Sequence, residues 1–139
     1  MSRRKAQDLL YGRNPVLETL RANRREFHTL FLQENLEPSP IVKEILERAG
    51  KLSLPVEQYS RQNLDLRVKN HQGVLLQASP YPYVELVEIL AYAPTRSEPT
   101  LVLLLDQLKD PQNFGTLLRT ADAVGVHGVL LPARHTVNV

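Results

Sequence analysis

The chain has 139 residues, 42% hydrophobic and 23% charged, with no Cys, no Trp and a single Met. At about 150 residues per domain this is one domain or two small ones, and the apolar share can fill a core, which excludes a wholly disordered chain. No apolar run approaches the roughly 20 residues that span a bilayer, the basic start lacks the apolar stretch of a secretory signal, and the lack of Cys excludes disulfides and thiolate chemistry; a cytoplasmic protein is expected.

Net charge is +2, unevenly placed. Within residues 1–28, Arg3, Arg4, Lys5, Arg13, Arg21, Arg24 and Arg25 stand against Asp8, Glu18 and Glu26, which leaves that segment at +4 and the rest at −2. A basic end on a near-neutral body suits a phosphate-rich partner. A solvated, frayed terminus accounts for the same charges.

In chain order, Leu9–Tyr11 is a short apolar segment closed by Gly12. Asn14-Pro15 reads as an N-cap followed by proline at the first helical position, with Val16, Leu17 and Leu20 as the apolar stripe and an end near Asn23. Phe27–Leu32 follows as a strand. Ser39-Pro40 repeats the cap signal, and Ile41, Ile45, Leu46 and Ala49 recur at helical spacing until Gly50. Leu54–Tyr59 is expected as a strand, Ser60–Leu66 as a short helix and Val74–Ala78 as a further strand. Helices alternating with strands predict α/β layers.

The composition changes at residues 79–83. A helix is predicted over Val84–Ala91, and residues 93–99 read as a Pro-containing linker. Leu101–Leu105 is a continuous apolar run, expected as a strand buried on both faces. A helix is predicted from about Asn113 to Val124, with Leu117, Leu118, Ala121 and Val124 facing the core, Gly125 as its stop and Gly128–Leu131 as a second strand. The boundaries expected are therefore 1–83 for one domain, 84–98 for a helix and linker, and 99–139 for the opening of a second domain that contains one βαβ unit. One such unit does not bury its own sheet.

Ligands of open α/β sheets sit beyond the carboxyl ends of the strands, where Asp106 to Gly115 fall. Asn113 is placed to cap the helix, Gly115 admits a close approach, and the helix start offers a modest anion site. Arg119, on the side away from Leu117 and Ala121, is placed to reach a phosphate. A cap, a packing glycine and a surface charge explain the same three residues without a ligand. The histidines 28, 71, 127 and 135 lack zinc-ligand spacing, and His71 is expected as a turn or structural residue and not a catalytic one. Neither a Walker A sequence nor Gly-x-Gly-x-x-Gly is present, which argues against nucleotide hydrolysis and redox chemistry.

Asp110-Pro-Gln-Asn-Phe-Gly115, Leu117-Leu-Arg-Thr-Ala-Asp-Ala123 and Gly125-Val-His-Gly-Val-Leu-Leu-Pro132 together resemble the first signature motif of the SpoU/TrmH family, S-adenosylmethionine-dependent RNA ribose 2′-O-methyltransferases. Residues 11–20 and 71–83 resemble the start and end of that family's N-terminal substrate-binding domain. The resemblance implies a small ribosomal-protein-like α/β domain that holds RNA. It also implies the first βαβ unit of an α/β trefoil-knot (SPOUT) methyltransferase domain, truncated before the knot. The implied substrate is RNA, foremost a guanosine of large-subunit ribosomal RNA, with transfer RNA as the alternative. The implied cofactor is S-adenosylmethionine, and its pocket and most of a homodimer interface are expected downstream of Val139. Arg119 is implied to activate the ribose 2′-hydroxyl and Asn113 to shape the same site; Arg3, Arg4, Lys5, Arg13, Arg21, Arg24 and Arg25 are expected to contact RNA. Alone, the 139 residues are expected to be inactive in catalysis. A non-enzymatic RNA-binding module, or an inactive fragment, is the alternative reading.

Overall fold

The computed structural model describes residues 7–92, 99–108 and 110–132. The chain divides at Pro82 into two compact units.

The first unit follows the alternation in the sequence: β1 (Asp8–Tyr11), α1 (Arg13–Ala22), β2 (Phe27–Gln33), α2 (Pro40–Lys51), β3 (Val56–Tyr59), α3 (Arg61–Arg67) and β4 (Val74–Ala78). Its sheet has the order β1-β4-β2-β3. β4 runs antiparallel to both β1 and β2, and β3 runs parallel to β2. The β2–β4 register shifts between Phe27 and Thr29, so His28 sits at a bulge.

Alternation along the central strands separates two cores. Leu30 and Leu32 of β2 and Val74 and Leu76 of β4 pack with Val16, Leu17 and Leu20 of α1 and with Ile45 and Ala49 of α2. Phe31 and Leu75 point the other way, onto Leu64 of α3. Burial on both faces is why Leu30–Leu32 of β2 and Val74–Leu76 of β4 are unbroken apolar runs.

The helix starts show where local signals suffice. Ser39 Oγ accepts from the Val42 amide, so the cap expected at α2 is present. α1 instead begins at Arg13, ahead of the Asn14-Pro15 signal, with Gly12 at the cap. Its missing cap side chain is replaced by Gln72, whose Oε1 accepts from the Arg13 amide at 3.0 Å. Gly50 does not stop α2, which runs on to Lys51.

The second unit contains α4 (Leu86–Tyr92), β5 (Val102–Leu104), α5 (Pro111–Ala123) and β6 (Gly128–Leu130). β5 and β6 are parallel, with Leu103 opposite Val129. Leu105 and Phe114 form the centre of its core, joined by Leu103, Leu117, Leu118 and Val129. Leu101–Leu105 is not buried on both faces: Leu101 and Leu104 are 48% and 69% exposed. A two-stranded sheet carries α5 over the Leu103/Leu105 side; on the other side Ile89 of α4 lies against Gly128 of β6, and Leu104 stays exposed. Val124, expected to face the core, is also exposed, because α5 ends at Ala123. No described helix is long and apolar enough to cross a membrane.

Candidate functional site

α5 opens with Asp110, whose Oδ1 accepts from the Gln112 amide at 3.0 Å. Asn113 is therefore not the cap. It lies exposed in the first turn, and its side chain makes no hydrogen bond among the described residues. The Asp110 carboxylate satisfies an amide that would otherwise face a ligand, and its charge opposes an incoming anion. The anion site expected at this helix start is accordingly weakened.

Arg119 is exposed and lies back along the helix. Its Nη2 donates to Thr116 Oγ1 at 3.2 Å, and its guanidinium passes over Gly115. That backward lean follows from the tilt of helical side chains toward the N-terminus. It carries a permanent positive charge back toward the N-terminal half of α5. Thr116 is a supporting residue that spacing alone did not single out. The structure does not bring Asn113 and Arg119 into contact.

In the first unit, Arg3, Arg4 and Lys5 fall outside the described residues. Arg21 donates to Glu18 at 2.7 Å and to both Glu44 carboxylate oxygens, at 2.9 and 2.7 Å. The hydrogen bonds from Arg21 and then Arg48 lower the Glu44 carboxyl from 4.5 to about 2, and Glu44 in turn raises the Arg21 pKa. The Arg25 side chain is 6% exposed, pairs with Asp8 at 2.9 Å and lies over the Tyr81 ring. Both arginines are thus engaged within the unit. Arg24 is exposed and lines a recess of about 380 Å³ with His28, Ser79 and Pro82.

Arg13 lines a larger cleft, of about 520 Å³, together with Arg61, Lys69, Asn35, Asn70 and Gln72. Its Nε donates to the Gln72 carbonyl at 3.2 Å and its Nη1 to Ser39 Oγ at 3.4 Å. His71 is buried beneath this cleft: Nδ1 accepts from the Gly73 amide at 2.8 Å, and Nε2 faces Asp65 Oδ1 at 3.3 Å. His71 is thus a turn residue, as expected. Arg61 and Lys69 escaped the sequence reading, which followed the density of charge near the N-terminus. Only the polar turn at residues 69–73 marked this region. Among the described residues, no three His, Asp or Glu side chains converge on a candidate metal position.

The fold and its sites define an α/β chain of two units, one with a basic cleft and one built as a single parallel βαβ unit. The family model described as RNA 2′-O ribose methyltransferase substrate binding matches residues 9–84, and that of the SpoU rRNA methylase family matches residues 100–139. The chain belongs to the SpoU family of RNA methyltransferases.

A relative named for the TrmH family of tRNA/rRNA methyltransferases, YacO of Bacillus subtilis, is 37% identical over 133 residues, covering 95% of this chain and 53% of its own. An uncharacterized tRNA/rRNA methyltransferase of Mycobacterium ulcerans is 37% identical over 134 residues, with 43% of its length covered. The chain thus spans about half the length of these relatives. Two solved structures share the fold. The SpoU methyltransferase AviRb of Streptomyces viridochromogenes, crystallised with AdoMet, has a TM-score of 0.58 at 23% identity and covers 88% of this chain and 44% of its own. An rRNA methyltransferase from Sinorhizobium meliloti has 0.55 at 22%, covering 90% and 44%.

Proposed function

We propose that this chain is the RNA-holding unit and the opening of the catalytic domain of an S-adenosylmethionine-dependent RNA ribose 2′-O-methyltransferase. In this reading residues 1–83 are the substrate domain, 84–98 a helix and linker, and 99–139 the start of the methyltransferase domain. The observation that carries it is the methylase match falling on β5, α5 and β6, the unit that holds Arg119. A guanosine of large-subunit ribosomal RNA is the proposed target, with transfer RNA second. A homodimer is the proposed assembly.

S-adenosylmethionine supplies the methyl group in such a reaction. The described residues do not fit it by themselves. Leu104 stands exposed beside β6, and Asp110 occupies the α5 start. What this chain contributes is charge. Arginine stays protonated in proteins, since its pKa exceeds about 12, so Arg119 is poorly suited to take a proton from a ribose hydroxyl. Its role is to favour negative charge developing on the 2′-oxygen, with Thr116 fixing its direction. Asn113, exposed on the same first turns, is positioned to hold the ribose or its phosphate.

The test is methyl transfer to RNA by the full-length protein. Arg119→Ala is expected to lose about 100-fold or more in turnover, the scale of removing one preorganised donor, while RNA affinity changes little. Full turnover by that variant would refute the assignment. Thr116→Val, which keeps the shape but removes the hydroxyl, is expected to have a smaller loss.

A further inference from the structure

We infer that the cleft between α1, α3 and the turn at residues 69–73 receives an unpaired nucleotide of the RNA, with the base between amide side chains and its phosphates on Arg61 and Lys69. This rests on the reading that the first unit holds RNA, and adds where and in what form it is held.

Three observations converge on the cleft. The first is its polar character. Its wall combines the cations Arg13, Arg61 and Lys69 with the anions Asp65 and Glu37 and with several side-chain amides. A surface meant only for phosphates needs donors and cations, not the acceptors that Asp65, Glu37 and the amide oxygens add here. Amides carry both donors and acceptors, as the edge of a base does.

The second is unused bonding capacity. Lys69, Asn35 and Asn70 have exposed side chains without a hydrogen bond or ion pair among the described residues. Arg61 approaches Asp65 only at 3.9 Å and is 77% exposed. Arg13 has five N–H donors on its side chain, and the two bonds it makes, to Gln72 and Ser39, leave others facing the cleft. Arg21 and Arg25, which carry similar charge elsewhere, are committed to carboxylates.

The third is a backbone fixed in an uncommon form. Asn35, Asn70, Gln72 and Gly73 all line the cleft with positive φ, at 54°, 59°, 52° and 82°. Asn tolerates that conformation; Gln adopts it at greater cost. The turn is held by His71 beneath and by Arg13 across it, so the Asn70 and Gln72 side chains leave a rigid floor. Strained backbone retained under a polar cleft points to a binding role. The volume, about 520 Å³, is in the range of small-ligand sites.

The test uses two RNA hairpins of equal length, one with an unpaired loop and one fully paired but for a minimal turn. Asn35→Gly/Asn70→Gly removes both amides and keeps the left-handed backbone accessible. It is expected to weaken binding of the looped hairpin about tenfold, the scale of losing base-edge contacts, and to leave the paired hairpin unchanged. Arg61→Ala/Lys69→Ala is expected to weaken the looped hairpin and reduce its salt dependence by about two phosphate contacts. Lys51→Ala, outside the cleft, is expected to do neither. If the unsubstituted protein binds RNA and both double variants bind the looped hairpin equally well, the cleft assignment is overturned and RNA holding stands. If it binds neither hairpin, the reading of an RNA-holding unit is overturned, and the cleft with it.

Discussion

Gly73 meets two demands at one residue. Its φ of +82° lies where side chains are disfavoured, and an added Cβ would fall within the van der Waals shell of Leu36 Cδ1 and 3.3 Å from Gln33 Cβ. Leu36 packs against the main core, so it cannot swing aside without loss elsewhere. Gly73→Ala is expected to destabilise the first unit by about 1–3 kcal/mol, seen as a lower urea midpoint. Gly50 offers the contrast, since nothing lies within 4 Å of an added Cβ and it sits inside α2. Gly50→Ala is expected to raise stability by about 0.5–1 kcal/mol. A Gly73→Ala protein as stable as the unsubstituted chain would show that the turn is not fixed as described. At this scale the sequence is legible where the partner is adjacent and opaque where it is distant. His71 was readable as a turn residue, because its bond is to the amide two positions on. The cap of α1 was not, because Gln72 reaches Arg13 from 59 positions away. Residue type alone suits Asn113 to a cap, but Asp110, three residues earlier and equally suited, holds the position.

Between elements, α1 and α2 are joined by an apolar contact beneath and a charged one above. Leu17, Leu20, Ile45 and Ala49 share the core. Over them Glu44 accepts two bonds from Arg21 of α1 and one, at 2.9 Å, from Arg48 of its own helix. Arg21 also holds Glu18 in an i,i+3 pair. The Glu44 carboxyl is depressed from 4.5 to about 2 in the folded chain. Its contribution to stability is therefore present above about pH 4.5 and is lost as pH falls toward 2. The groups are well exposed, so water and salt screen the effect and it is modest. Glu44→Gln is expected to lower the urea midpoint slightly at pH 7 and to flatten the decline between pH 4.5 and 2.5. An acid limb as steep in the variant as in the unsubstituted chain would move the source of acid sensitivity elsewhere. None of this network was legible from charge counting. By sequence Arg21 is a cation available to RNA, and only the packing of α1 on α2 shows that it is already satisfied.

Across the molecule, the two units differ in how far their apolar residues are covered. In the first, Leu30, Leu75, Leu76 and Val74 have no exposed surface, and both faces of β2 and β4 are packed. In the second, Leu105 and Phe114 at the centre of the core are each 9% exposed, and Leu101, Leu104 and Val124 are exposed. The apolar run at Leu101–Leu105 was legible as a strand, and its parallel partner at Gly128 as well. Coverage of its second face was not, since that depends on which layers pack there and not on the run itself. The relatives are about twice as long as this chain, and on the face away from α5 Ile89 covers Gly128 while Leu104 stays exposed, so this sheet is less completely packed than that of the first unit. Stability in such a chain is set locally by buried contacts. Hydrogen exchange of the 139 residues is therefore expected to be slow at Leu75 and Leu76 and at least about 100-fold faster at Leu103 and Leu104, with two separate unfolding steps in urea. Equal protection in both strands, and a single transition, would mean that β5 and β6 are stabilised by more than the core around Leu105 and Phe114.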